Sequence, residues 1–136
     1  MKKLLLLILI TIGFQETIAQ EFTRRDSLQG GLSKERTSFD VKRYDLNITI
    51  NPEQKSIKGF NEISFDILTA TKTIQLDLFE NMKVDSIVYN SKNLNYRRDN
   101  DAIFVDFPEK LVQKSNHKIK FYYSGNPKVA RNAPWD

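Results

Sequence analysis

The sequence predicts an all-β fold, an antiparallel β-sandwich or an open pair of saddle-shaped sheets. Two observations carry that expectation. Short stretches alternate apolar and polar residues with the period of a pleated strand, and they are separated at regular spacing by Asn, Asp, Gly and Pro turn signals. From Phe39 to Glu53, Leu46, Ile48 and Ile50 alternate with Asp45, Asn47 and Thr49 before Asn51-Pro52 stops the run. One face of this strand is therefore expected to point inward.

From Ile57 to Leu68 the positions Ile57, Gly59, Asn61, Ile63, Phe65 and Ile67 share one face, and Phe60, Glu62, Ser64, Asp66 and Leu68 share the other. The first is the expected core face. Gly59 sits where a strand prefers a packing side chain, so it marks a bulge or a close backbone approach. Ile74, Leu76 and Leu78 then face one way with Gln75 and Asp77 opposite, and Val84 to Tyr89 is a further strand rich in β-branched residues. Asn90-Ser91-Lys92-Asn93 reads as a turn. Asn95 to Arg98 and Ala102 to Phe107 flank Asp99-Asn100-Asp101, a polar connection of hairpin type. No helix is expected beyond, at most, a turn around Glu109 to Gln113, where Pro108 could occupy the first helical position. Lys118 to Tyr123 forms the last strand, with His117 as an exposed turn residue before it.

The first twenty residues belong to another class. Lys2 and Lys3 form a charged start, Leu4 to Phe14 an apolar run, and Thr17-Ile18-Ala19 a small-residue cleavage site. Residues 1–20 read as a signal peptide, since a membrane anchor needs about 18 or more apolar residues. The product is expected to be exported, periplasmic or secreted, with no membrane span after cleavage. Residues 21–38 carry few apolar positions, several charges and Gly30-Gly31, and are expected to form a flexible lead, or at most an edge strand.

Composition excludes several chemistries. The chain has no cysteine, so disulfides, thiolate metal sites and cysteine nucleophiles are all absent. Losing Lys2 and Lys3 leaves 19 basic against 17 acidic residues from the 21 and 17 of the whole chain, a net charge near +2. Arg24-Arg25 and Arg97-Arg98 are isolated doublets without interleaved stacking platforms, and no nucleic-acid partner is expected. Asp99 and Asp101 flank a hairpin tip, where Asp suits turn geometry, and too few oxygen ligands accompany them for a calcium site. Asn47-Ile48-Thr49 is a formal glycosylation sequon within a strand, read as a chance match. Tyr44, Tyr89, Tyr96, Tyr122 and Tyr123 are spaced as strand residues that pack. No catalytic, cofactor-binding or metal-ligating residue is assigned. The single histidine cannot supply the two-histidine HEXXH arrangement.

Several motifs in order nevertheless resemble one family. The run Phe39–Glu53 resembles the opening strand of the N-terminal domain in aminopeptidase-N-like zinc metallopeptidases. Ser56-Ile57-Lys58-Gly59 resembles the entry of that domain's long second strand, and Thr73-Ile74-Gln75-Leu76-Asp77-Leu78 its "I-x-L-D-L" strand. Phe107-Pro108-Glu109-Lys110-Leu111 and Ile119 to Pro127 resemble its "L-P-x-x-L" corner and "I-x-Y-x-G-x-P" strand end. The resemblance implies residues 39–136 as a partial N-terminal β domain, incomplete at its C-terminus. It also implies a larger parent with zinc, a catalytic domain as partner within the same polypeptide, peptides as substrates, and release of their N-terminal residues. The other readings are a stand-alone secreted β-sandwich acting as a binding module, and a noncatalytic relative of the peptidases.

Overall fold

Period-two alternation builds eight strands into two antiparallel sheets in the computed structural model of the protein, which describes residues 21–132. The signal-peptide reading of residues 1–20 lies outside the described residues, as does the end of the chain beyond 132. The strands are β1 (Phe39–Asn51), β2 (Ser56–Ile67), β3 (Thr71–Asp77), β4 (Met82–Tyr89), β5 (Lys92–Asn93), β6 (Asn95–Asp99), β7 (Ala102–Leu111) and β8 (Asn116–Gly125). One sheet has the order β1-β2-β8-β4-β5 and the other β3-β7-β6. The expected all-β antiparallel class is the one observed.

The core lies between the two sheets. Ile63, Phe65 and Ile67 of β2, together with Ile119 and Phe121 of β8 and Val84 and Ile87 of β4, pack against Ile74, Ile103, Val105 and Phe107 from the smaller sheet. The expected core face of the second strand is thus correct in register. Its opposite face meets solvent, where Glu62 pairs with Lys118 at 2.9 Å and Lys120 at 3.6 Å. Gly59 is a close approach and not a bulge. A Cβ there would lie 2.0 Å from the Asn47 carbonyl oxygen, and the β1–β2 pairing runs unbroken past it.

The lead differs from expectation. Residues 24–37 form two short helices, α1 (Arg24–Gly30) and α2 (Lys34–Thr37). Thr23 opens α1 through a capping box: its hydroxyl accepts from the Asp26 backbone N–H, and the Asp26 carboxylate accepts from the Thr23 N–H. Two helix donors are satisfied in this way. The helices are held over the outer face of the small sheet, where Gln75 Nε2 donates to the Leu28 carbonyl at 2.9 Å and Arg36 Nη1 to Asp77 at 2.6 Å. Buried Ser38 ends the layer, its carbonyl accepting from the backbone N–H groups of Leu68 and Thr69. Low apolar content misled the expectation, because this layer is attached by polar bonds.

Two further differences concern strands. The stretch from Glu109 to Gln113 forms no helix: β7 runs through Pro108 to Leu111. Thr73 pairs with Asp106 and Thr71 with Leu111, so β7 carries extra residues where Pro108 stands. An irregularity of this kind is where a strand tolerates a residue without an N–H. Leu46, Ile48 and Ile50 lie on the core side of the large sheet, opposite Asn61, Gly59 and Ile57, but the three-stranded sheet does not reach over them. They are 64%, 36% and 69% exposed.

Candidate functional site

The acidic pair expected at a hairpin tip has a different role. The β6–β7 hairpin turns through Asn100, at φ 52°, and carries Asp101 inward until only 2% of it is exposed. Arg25 donates to Asp101 Oδ2 from Nε at 2.8 Å and also from Nη2, Gln29 Nε2 adds a bond at 2.7 Å, and the Glu80 backbone N–H donates to Oδ1 at 2.7 Å. Asp101 is thus a buried clasp for α1, with its acceptor capacity committed within the chain. Asp99 pairs with Arg24 at the surface, and the hydrogen bond from that guanidinium holds its carboxyl below the usual range. Among the described residues no group of three or more His, Cys, Asp or Glu side chains is placed to hold a metal ion.

His117 also departs from the sequence reading. It is a half-buried strand residue paired with Phe65 across β2–β8, and its ring centroid lies 5.9 Å from the Phe65 ring. Its Nδ1 lies 2.8 Å from the Tyr89 hydroxyl and its Nε2 2.7 Å from Ser115 Oγ. Ser115 gives its only proton to the Val112 carbonyl at 2.5 Å, so its oxygen accepts from Nε2–H. Burial favours the neutral ring, in which Nδ1 is bare and accepts from the Tyr89 O–H. The pair sits at the floor of a cleft of about 730 Å³ between the diverging sheets, with Leu94 and Phe107 beside it and Lys72, Lys92 and Lys110 around it.

Burial lowers the His117 pKa below its ordinary value. The unfolded chain takes up a proton near pH 6.5 that the folded chain refuses until lower pH. Stability contributed by neutral His117 is therefore complete above about pH 6.5 and lost as pH falls from there. Since this is the only histidine, His117→Gln is expected to flatten the stability profile between about pH 6.5 and 5, above the carboxylate range. Denaturant midpoints taken across that interval test it, and an unchanged slope in the variant counts against the neutral ring.

A third feature is the uncovered inner face. Beyond the small sheet, Tyr44, Leu46, Ile48 and Ile50 of β1 stand exposed, next to a groove of about 310 Å³ bordered by Ile57, Leu78, Phe79 and Tyr123. Strand β1 is also an edge of its sheet. The remaining candidates are structural. Arg97 lies 3.8 Å over the Phe104 ring, Arg98 donates to the carbonyls of Glu80 and Met82, and Tyr122 packs on Phe60 at 5.0 Å. Asn47 of the sequon is exposed within β1.

A two-sheet antiparallel β domain with a clasped helical layer and one open apolar face is the class these features define. Residues 41–131 match the family model described as the Peptidase M1 N-terminal domain. The chain belongs to that family. No curated protein matches it. Among solved structures it is similar to a mutant two-domain M1 zinc metallopeptidase bound to L-arginine, at 19% identity and TM-score 0.62 over 72% of this chain and 23% of that one. A mutant M1 zinc metallopeptidase from Deinococcus radiodurans bound to a Tyr-Ser-Ala substrate gives 20% identity and TM-score 0.62, over 71% of this chain and 22% of that one. The M1 zinc metallopeptidase from Deinococcus radiodurans gives 20% and 0.60, over 68% and 21%. At such identity the likeness shows the fold, and the chain spans less than a quarter of the length of these structures. The α1 layer precedes the matched residues.

Proposed function

We propose that this chain is the N-terminal β domain of an exported, zinc-dependent aminopeptidase that removes N-terminal residues from peptides, and that it flanks the cleft of a catalytic domain in the same polypeptide. The observation that carries the reading is the family match over residues 41–131. The open apolar face supports it, because Leu46, Ile48 and Ile50 offer a neighbouring domain the kind of surface a monomer seldom leaves bare. Zinc peptidase chemistry of this type needs three protein ligands and a glutamate beside the bound water. The residues described here do not fit such an ion: the lone histidine has both ring nitrogens committed to Tyr89 and Ser115. Zinc is therefore assigned to the catalytic part of the parent.

The test compares two proteins made from the natural gene. The 136-residue chain is expected to hold no stoichiometric zinc and to release no amino acid from a reporter peptide. The longer polypeptide encoded in the same frame is expected to hold one zinc and to show aminopeptidase activity that a chelator abolishes. Activity in the short chain, or a frame that ends without an HEXXH segment, overturns the proposal.

A further inference from the structure

We infer that the cleft floored by His117 and Tyr89 is a binding site for a small organic acid, a carboxylate carried on an apolar body. The argument rests on the separation of apolar and charged groups within one cavity. About 730 Å³ is open between the ends of the two sheets, a size typical of small-molecule sites. The irregular stretch of β7 around Pro108 forms part of the cavity wall.

The floor offers no charge and no spare donor. Leu94 and Phe107 are buried, the Tyr89 ring stands edge-on to Phe107 at 5.2 Å, and the Tyr89 hydroxyl proton is spent on His117 Nδ1 while Nε2–H is spent on Ser115. A charged head would lose its hydration on this floor without a partner. An apolar body gains there.

The rim is the opposite. Lys72, Lys92 and Lys110 line the mouth, and none forms an ion pair among the described residues. Two carboxylates share the lining, Asp106 and Glu109. Asp106 accepts from the Thr73 hydroxyl at 2.7 Å, and neither carboxylate lies within ion-pair reach of the three lysines. The ammonium groups therefore remain available to a ligand, and an anionic head held by them leaves its apolar body directed at the floor.

The experiment titrates 4-phenylbutyrate into the full natural chain by calorimetry, beside its uncharged amide, 4-phenylbutanamide. Saturable binding of the acid is expected, with the amide about tenfold weaker. The combined variant Lys72→Gln, Lys92→Gln, Lys110→Gln is expected to bind the acid about tenfold more weakly, the factor that corresponds to losing about 1.4 kcal/mol of charge-assisted contact. All three lysines are exposed, so the variant keeps its fold, which a thermal melt verifies. Val112→Trp, at the exposed edge of the cleft, is expected to obstruct entry and weaken the acid and the amide together. No saturable heat at millimolar acid overturns the inference. So does equal binding of acid and amide, or wild-type affinity in the lysine variant. These readouts are independent of zinc and of peptidase activity, so they fail or succeed separately from the aminopeptidase reading.

Discussion

Asp101→Ala is expected to destabilise the fold by about 3 kcal/mol. Four donated bonds converge on this carboxylate from Arg25, Gln29 and the Glu80 backbone. Removing it leaves the Glu80 main-chain N–H without its acceptor and the Arg25 guanidinium with only a 3.8 Å contact to the Glu80 carboxylate, which costs more than the bonds themselves were worth. Breaking a fully buried pair costs roughly 3 to 5 kcal/mol, and the lower end applies because the Arg25 side chain keeps 31% of its surface exposed. Asp99→Ala is the control. Its partner Arg24 is 70% exposed, and such surface pairs contribute little. Because Asp101 holds α1 to the sheet, Arg25→Ala and Asp101→Ala act on one contact and their losses are expected to fall well short of additive. Urea melts of the wild type, the three single variants and the Arg25→Ala, Asp101→Ala double variant decide the matter. A smaller loss for Asp101→Ala than for Asp99→Ala would show that the clasp carries no stability.

The same residues show which parts of the molecule the sequence made legible. Period-two alternation gave the strands and the core face of β2, because that face is buried by the partner sheet whatever surrounds it. The lead was harder, since its attachment depends on Asp101, Asp99 and Asp77, distant in sequence. One local signal was present all the same: Thr23 and Asp26 have the spacing of a capping box. His117 was misplaced by where the last strand was begun. Counting back from Phe121 and Ile119 by twos puts His117 on the inward face, and Tyr89 reaches it by the same alternation on β4. Neither the Ser115 contact nor the cleft between the sheets has a signature in the sequence, because both depend on how far the sheets diverge. For β1 the alternation was read correctly, and what failed was the assumption that a core-side position is always covered.

Phe65→Ala is expected to cost roughly 3 to 5 kcal/mol, the range for removing a large aromatic from a core that relaxes only in part. Phe65 is 1% exposed, and its ring meets Phe39 edge-on at 5.6 Å and Phe107 at 6.3 Å. Loss of the ring opens the space between the sheets where three strands and His117 converge. Asp66→Ala, one residue along and on the solvent face, is expected to cost far less, since it removes only exposed bonds to Asn116 and Lys42. Leu46→Ala completes the comparison. In the 136-residue chain Leu46 is 64% exposed, so truncating it is expected to change stability by no more than about 0.5 kcal/mol. In the longer polypeptide, where a neighbouring domain is proposed to cover this face, the same substitution is expected to cost about 2 kcal/mol or more. Denaturant midpoints for each variant in both proteins test the two ideas separately. Equal losses for Phe65→Ala and Asp66→Ala would place Phe65 outside the core, whereas a Leu46→Ala effect as small in the long protein as in the short one would leave the β1 face bare and remove its support for an adjoining catalytic domain.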